Sequence, residues 1–170
     1  MLSKKIWLVA SAFTLAVFFG ASAATAEDPQ QCFTVSSIRG TYAVIGNYGA
    51  HEAIALGKRY TDGMGNLTGT FVVNEPTTGS TTGARTIVTG TQAGTYTVNC
   101  DGTGVITRVL TVGTTQTTAF DDFVITGAKI KNGELIATTI VDAQRTPSSI
   151  VAGGIFLTRV WTRLPQRSTE

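Results

Sequence analysis

The chain has 170 residues, only 14% of them charged, with 30 threonines, 19 glycines, two cysteines and one histidine. That length suits one ordinary domain, and a composition so rich in β-branched and turn residues excludes a helical bundle. One imidazole excludes a multi-histidine metal centre, and two thiols leave little for nucleophilic chemistry.

In chain order, Lys4 and Lys5 precede an apolar run over residues 6–19, and Ala24-Thr25-Ala26 fits a small-x-small cleavage pattern. Residues 1–26 therefore read as a signal peptide, and 27–170 as a single mature domain. The apolar run is shorter than the roughly 20 residues a spanning helix requires. The expectation is a protein exported to the periplasm or beyond the cell and not embedded in a membrane after cleavage. Without Lys4 and Lys5, eleven cations balance eleven acids. No clustered positive surface remains, so nucleic acid is not an expected partner. In an oxidising compartment Cys32 and Cys100 pair as a structural disulfide, since neither a second thiol at CxxC spacing nor a neighbouring base points to redox chemistry.

Beyond the signal, short alternating or apolar runs at 40–48, 54–60, 67–74, 85–91, 94–99, 105–112, 118–126, 134–142 and 154–164 read as strands. Asp62-Gly63, Asp101-Gly102 and Asn132-Gly133 are tight-turn dipeptides between them, and 75–83 and 146–153 are polar loops. The pattern predicts an all-β fold, a single antiparallel β-barrel of about eight strands, with a β-sandwich as the alternative. The first and last long strands are both apolar, as neighbours closing a barrel are, and closure removes exposed edges. Ten aromatics after residue 26 are too few for the two girdles of an outer-membrane barrel.

The segments GTYAVIGNYGA (40–50), GTYTVNCDGTGVI (94–106) and FVITGAKIKNGELIATTIVDAQRTPSSIVAGG (123–154) carry a resemblance. They resemble a group of small secreted bacterial proteins that is similar in outline to the allene-oxide-cyclase-like barrels. The resemblance implies the fold. It implies no activity, because the plant cyclases' site residues have no matching positions in this chain.

No catalytic motif stands out. Asp121 and Asp122 are adjacent on a strand and must point to opposite faces, so they do not form a carboxylate pair. The ordinary reading of each is an exposed or ion-paired carboxylate beside a turn. Asp142 and Arg145 are expected to anchor the 146–153 loop by an ion pair. His51 reads as a surface histidine beside Glu52, with no Gly-x-Ser-x-Gly segment to complement it. Asn66-Leu67-Thr68 matches a glycosylation sequon but sits where a turn is expected.

In the last strand, Ile155, Leu157, Arg159, Trp161 and Arg163 share a face, and Ile54, Leu56, Lys58 and Tyr60 share another. If both faces are internal, Tyr60, Arg159 and Trp161 line a mostly apolar ligand cavity with a few orienting polar groups. The leading functional expectation is a non-enzymatic barrel that binds a small apolar or amphipathic ligand. A barrel-type isomerase or cyclase and a structural or surface homo-oligomer are the alternatives. No cofactor or metal is implied.

Overall fold

The computed structural model describes residues 31–49 and 52–165. The proposed signal segment and His51 lie outside the described residues. Eight strands follow one another: β1 (Gly40–Asn47), β2 (Ile54–Thr61), β3 (Asn66–Pro76), β4 (Arg85–Val98), β5 (Thr103–Val112), β6 (Thr115–Lys131), β7 (Glu134–Gln144) and β8 (Thr158–Arg163). Each pairs antiparallel with its chain neighbour, and β1 closes on β8, with Ile45 opposite Val160. The fold is the closed eight-stranded barrel that the strand pattern predicts.

Several predicted boundaries change, β6 for example running on from 126 to Lys131, and two of the changes alter the strand pattern. The runs 85–91 and 94–99 are one continuous strand, β4. The predicted break at 92–93 does not form, and the flanking glycines, Gly90 and Gly94, bend the strand without ending it. A Cβ on Gly94 would sit 2.1 Å from the Thr107 carbonyl oxygen and 2.6 Å from Arg108 Cα. The absent side chain lets β4 and β5 crowd together on the concave side, a standard device for curving a sheet into a barrel. At Gly90 the vacated space holds the Phe71 ring, and at Gly104 the Phe123 ring, each 2.3 Å from the would-be Cβ. The predicted last strand, 154–164, begins only at Thr158, because residues before it belong to a loop in which Gly153 and Gly154 both take positive φ. The dipeptide turns form as expected. Asn132 (φ 52°) and Gly133 (φ 81°) give the doubly left-handed turn that matches strand twist.

Strand alternation fills the interior in three levels. One end holds Tyr42, Val44, Leu67, Tyr96, Ile106, Phe123, Ile140 and Trp161. It is closed by the leading segment, where a 3₁₀ turn (Val35–Ile38) buries Ile38 and the Tyr96 hydroxyl donates to the Val35 carbonyl at 3.1 Å. A Cys32–Cys100 disulfide ties this segment to the β4–β5 turn, as its residues' isolation in the sequence predicts. Such a bond fits an oxidising compartment. The opposite end holds Tyr48, Ala55, Phe71, Val73, Leu110, Ala119, Val151 and Leu157. There the 145–157 loop folds over the mouth and buries Val151. Between the two apolar levels lies a layer of charge. Among the described residues no helix is long and apolar enough to cross a membrane.

Candidate functional site: a buried charge layer beneath the barrel mouth

Six inward positions on six strands build the layer: Arg59 on β2, Gln92 on β4, Arg108 on β5, Asp121 on β6, Asp142 on β7 and Arg159 on β8, all buried. Each falls on its strand's inward parity. Arg108 sits between Ile106 and Leu110, and Asp121 between Ala119 and Phe123. Inward glycines make room for them. The Cβ position of Gly69 on β3 lies 3.1 Å from Gln92 Nε2, and that of Gly94 lies 3.0 Å from Arg108 Cβ.

The layer is a chain of charge-assisted hydrogen bonds. Arg108 grips Asp121 with two nitrogens, Nε to Oδ2 at 2.6 Å and Nη2 to Oδ1 at 3.2 Å. Arg159 bridges both carboxylates, donating Nη2 to Asp121 Oδ1 at 2.5 Å and Nε to Asp142 Oδ1 at 2.6 Å. Arg59 donates Nη1 to Asp142 Oδ2 at 2.8 Å and Nε to Gln92 Oε1 at 3.1 Å. The Trp161 indole also donates to Asp142 Oδ2, at 2.7 Å, and its ring lies 4.2 Å beneath the Arg59 guanidinium. Such bonds are shorter and stronger than neutral ones, and buried charges require them.

The layer is not electrically balanced: it holds three guanidinium groups and two carboxylates. Arg59 bears the strain. Burial, reinforced by the nearby Arg159 cation and only partly offset by Asp142, pulls it down to about 9. Burial alone would raise the Asp121 carboxyl, but Arg159 and Arg108 together hold it below the ordinary aspartate value. Desolvation likewise works against the Arg159 cation, and the two carboxylates outweigh it, leaving that group raised.

Donors outnumber acceptors as well. Arg59 Nη2, Arg108 Nη1 and Arg159 Nη1 make no hydrogen bond to any described residue, whereas their sister nitrogens do. The Gln92 and Gln144 amide nitrogens are free in the same way. Their orientation is fixed because Gln92 Oε1 accepts from Arg59 and Gln144 Oε1 accepts from the Leu157 N–H at 3.2 Å. Among the described residues, no side-chain polar atom sealed from water lacks a partner, so these free nitrogens face space that a water molecule can reach. A cavity of about 30 Å³ lies beside the layer, lined by Arg59, Arg108, Arg159, Gln92 and Gln144 and by the hydroxyl-bearing Tyr48 and Ser148. Its apolar walls include Phe71, Val73, Leu110, Ile150 and Leu157. The volume suits about two water-sized groups. Leu110 and Ile150 also wall an open groove of about 250 Å³, together with Val88, Val112, Thr115, Thr117 and Ser149, so the cavity and the groove share these two side chains.

Of the residues expected to line a cavity, Arg159 does so; Trp161 faces inward and meets Arg159 through Asp142 but belongs to the apolar level beneath and is not in the cavity lining, and Tyr60 does not join them. Tyr60 is 53% exposed on the outer wall, and the inward parity of β2 is Ala55, Gly57, Arg59 and Thr61. The expectation reversed that strand because its outer face, Ile54, Leu56, Lys58 and Tyr60, is the more apolar. The inner face is mostly small, to fit beside Phe71 and Trp161. The expected Asp142–Arg145 pair does not form either. Arg145 points outward and clasps Asp122 with bonds of 2.7 and 2.5 Å, while Asp142 points into the layer. Asn66 lies at the start of β3 and caps the turn through Asp62 at 2.6 Å. Sequence reasoning missed Arg59, Gln92 and Arg108 altogether. The alternation Gly104, Ile106, Arg108, Leu110 is a signal that points to Arg108.

Among the described residues, no cluster of three or more His, Cys, Asp or Glu is placed to hold a metal. No protein-family model, curated protein or solved structure matches this chain, so the site is read from its own geometry.

Proposed function

We propose that the protein is an exported, non-enzymatic barrel that binds a small amphipathic molecule at its mouth. The observation that supports this reading most directly is the cavity with apolar walls and a polar floor, adjoining an apolar groove under the 145–157 loop. Ligand pockets combine these elements, with hydrophobic walls for affinity and a few placed polar groups for orientation. Acid–base catalysis has less support. Asp121 is held ionised with its oxygens occupied by arginines, and burial raises the Tyr48 phenol at the cavity wall, leaving it a hydrogen-bond donor at neutral pH. Neither is poised to shuttle a proton near pH 7. The allene-oxide-cyclase-like outline carries the fold analogy only.

Native mass spectrometry of protein purified from its own export compartment tests the reading. A stoichiometric small passenger released on denaturation is the expected result. An apo mass, with no thermal-shift response to a panel of amphipaths, overturns it.

A second reading, self-association, draws on the outer wall. Val72, Leu56, Ile45, Val160, Val141 and Val124 are consecutive cross-strand partners from β3 through β2, β1, β8 and β7 to β6. All but Val141 are 40–61% exposed. An apolar row this continuous is the kind of surface that marks interaction sites. Sedimentation velocity of the wild type and of Leu56→Lys decides it: a concentration-dependent dimer lost in the variant supports self-association, and a monomer throughout removes it.

A further inference from the structure

Resting on the amphipath-binding reading, we propose that the ligand's polar end is a monoanionic carboxylate, seated on the free nitrogens of Arg59, Arg108 and Arg159. Three observations converge on that group. First, the layer carries one uncompensated positive charge, and arginine does not discharge it by losing a proton under physiological conditions. A monoanion brings the buried charge to zero, whereas a dianion such as a phosphate monoester overshoots to net negative. Second, every free polar atom identified on the cavity floor is a donor: three guanidinium nitrogens and two amide nitrogens. An alcohol or amide head would bring its own donors to a floor of donors, with only the Tyr48 and Ser148 hydroxyls of the lining able to accept, while a carboxylate is acceptor-only and has room for about four hydrogen bonds. Planar guanidinium groups also match its two oxygens. Third, the space is the right size for a head group alone. The cavity of about 30 Å³ accepts two oxygens, and the groove of about 250 Å³ that shares Leu110 and Ile150 with it offers room for a hydrocarbon.

The isolated anion and the carboxylate-bearing amphipath share this chemistry and separate in a titration. Trp161 is the one tryptophan after residue 26, and it touches both Asp142 and Arg59, so its fluorescence reports occupancy of the floor. The folded, disulfide-bonded protein is titrated at pH 7 in chloride-free buffer with decanoate, decanol, acetate and inorganic phosphate, and Tm is followed in parallel. Decanoate is expected to shift the emission, raise Tm and bind at least tenfold more tightly than decanol, acetate or phosphate. Arg59→Met should abolish the preference for decanoate over decanol. Gln92→Leu removes one donor, together with the Oε1 acceptor that holds Arg59 Nε, without altering the charge count, and should weaken decanoate several-fold should Arg59→Met fail to fold. Equal binding of decanoate and decanol overturns the carboxylate assignment and leaves the amphipath reading standing. Acetate or phosphate matching decanoate overturns the hydrocarbon tail and makes the floor a free-anion site. No response to any of the four overturns both.

Discussion

The unbalanced charge layer makes an asymmetric prediction about its own members. Removing a carboxylate should harm the fold more than removing an arginine. Asp142→Asn deletes the acceptor of Arg59 Nη1, Arg159 Nε and Trp161 Nε1 and turns the new amide nitrogen toward at least one of those donors. It leaves three buried guanidinium groups against one carboxylate. Deleting one partner of a buried ion pair costs about 3–5 kcal/mol, because the survivor's charge is uncompensated. At an unfolding entropy of about 2.1 cal/mol/K per residue, that is a fall of roughly 10–17 °C in Tm for a domain of this size. Arg59→Met loses the bonds to Asp142 and Gln92 and the stacking on Trp161. The remaining layer is then two cations against two anions, Asp142 keeps Arg159 and Trp161 as donors, and methionine refills most of the volume. Its cost should stay near the value for lost hydrogen bonds, about 1–3 kcal/mol. Urea unfolding followed by Trp161 fluorescence, with circular dichroism for Asp142→Asn, measures both. If Arg59→Met proves as destabilising as Asp142→Asn or more so, the layer is not electrostatically overcharged, and the carboxylate inference loses its main support.

Three further outcomes follow from the same geometry. Asp121 is held below the ordinary aspartate range when folded, so its contribution to stability is present above the unfolded value, about 3.9, and is lost as pH falls through the folded one. Tm should be nearly flat from pH 7 to about 5 and drop steeply in stronger acid, more steeply than in Asp121→Asn, when followed by differential scanning calorimetry. Reducing the Cys32–Cys100 bond, which closes a loop across 68 positions of sequence, should cost about 4 kcal/mol on the chain-entropy model. Denaturation with and without reductant checks this, and coincident curves would refute it. Gly94→Ala drives a methyl into the Thr107 carbonyl and Arg108 backbone, whereas Gly113→Ala meets no atom within 4 Å and strains only a φ of 58°. The first should lower Tm by many degrees and the second by a few, as thermal melts of the two variants will show.

The barrel was legible because its signals are local. Turn dipeptides, alternation and two apolar terminal strands each report on a few residues, and closure follows from counting strands. Glycine was the ambiguous letter, since Gly90 and Gly94 use the same absence of a side chain to bend a strand that Asp101-Gly102 uses to end one. The site was only half legible. Arg159 and Trp161 were found because Leu157 and Trp161 mark their face as internal. Tyr60 was misplaced because hydrophobicity assigns a strand's faces only when the interior is the greasier side, and in β2 it is not. Arg59 was invisible for the same reason. Its inward neighbours are Gly57 and Thr61, and what makes it internal is the barrel's curvature and the bulk of Phe71 and Trp161 opposite. Asp142 was paired with Arg145 because they are close in sequence, but their parities differ, and parity decides in a sheet.

A filled barrel needs no charge at its centre for stability. Hydrophobic residues of equal volume commonly stabilise as much as a buried ion network or more. Six strands here each commit an inward position to a polar group, and β3 and β4 commit glycines to accommodate them. If the network served only to fix the register of the strands, two arginines and two aspartates would do so with no residual charge. The third arginine costs desolvation, shown in the lowered Arg59, which its bonds to Asp142 and Gln92 offset only in part. Its position beside a cavity, with a free nitrogen on each guanidinium, makes an incoming negative charge the missing component. On that argument ligand binding and stability are coupled: a carboxylate that relieves the excess should stabilise the barrel by mass action, and that gain should shrink in Arg59→Met, which has already shed the same charge.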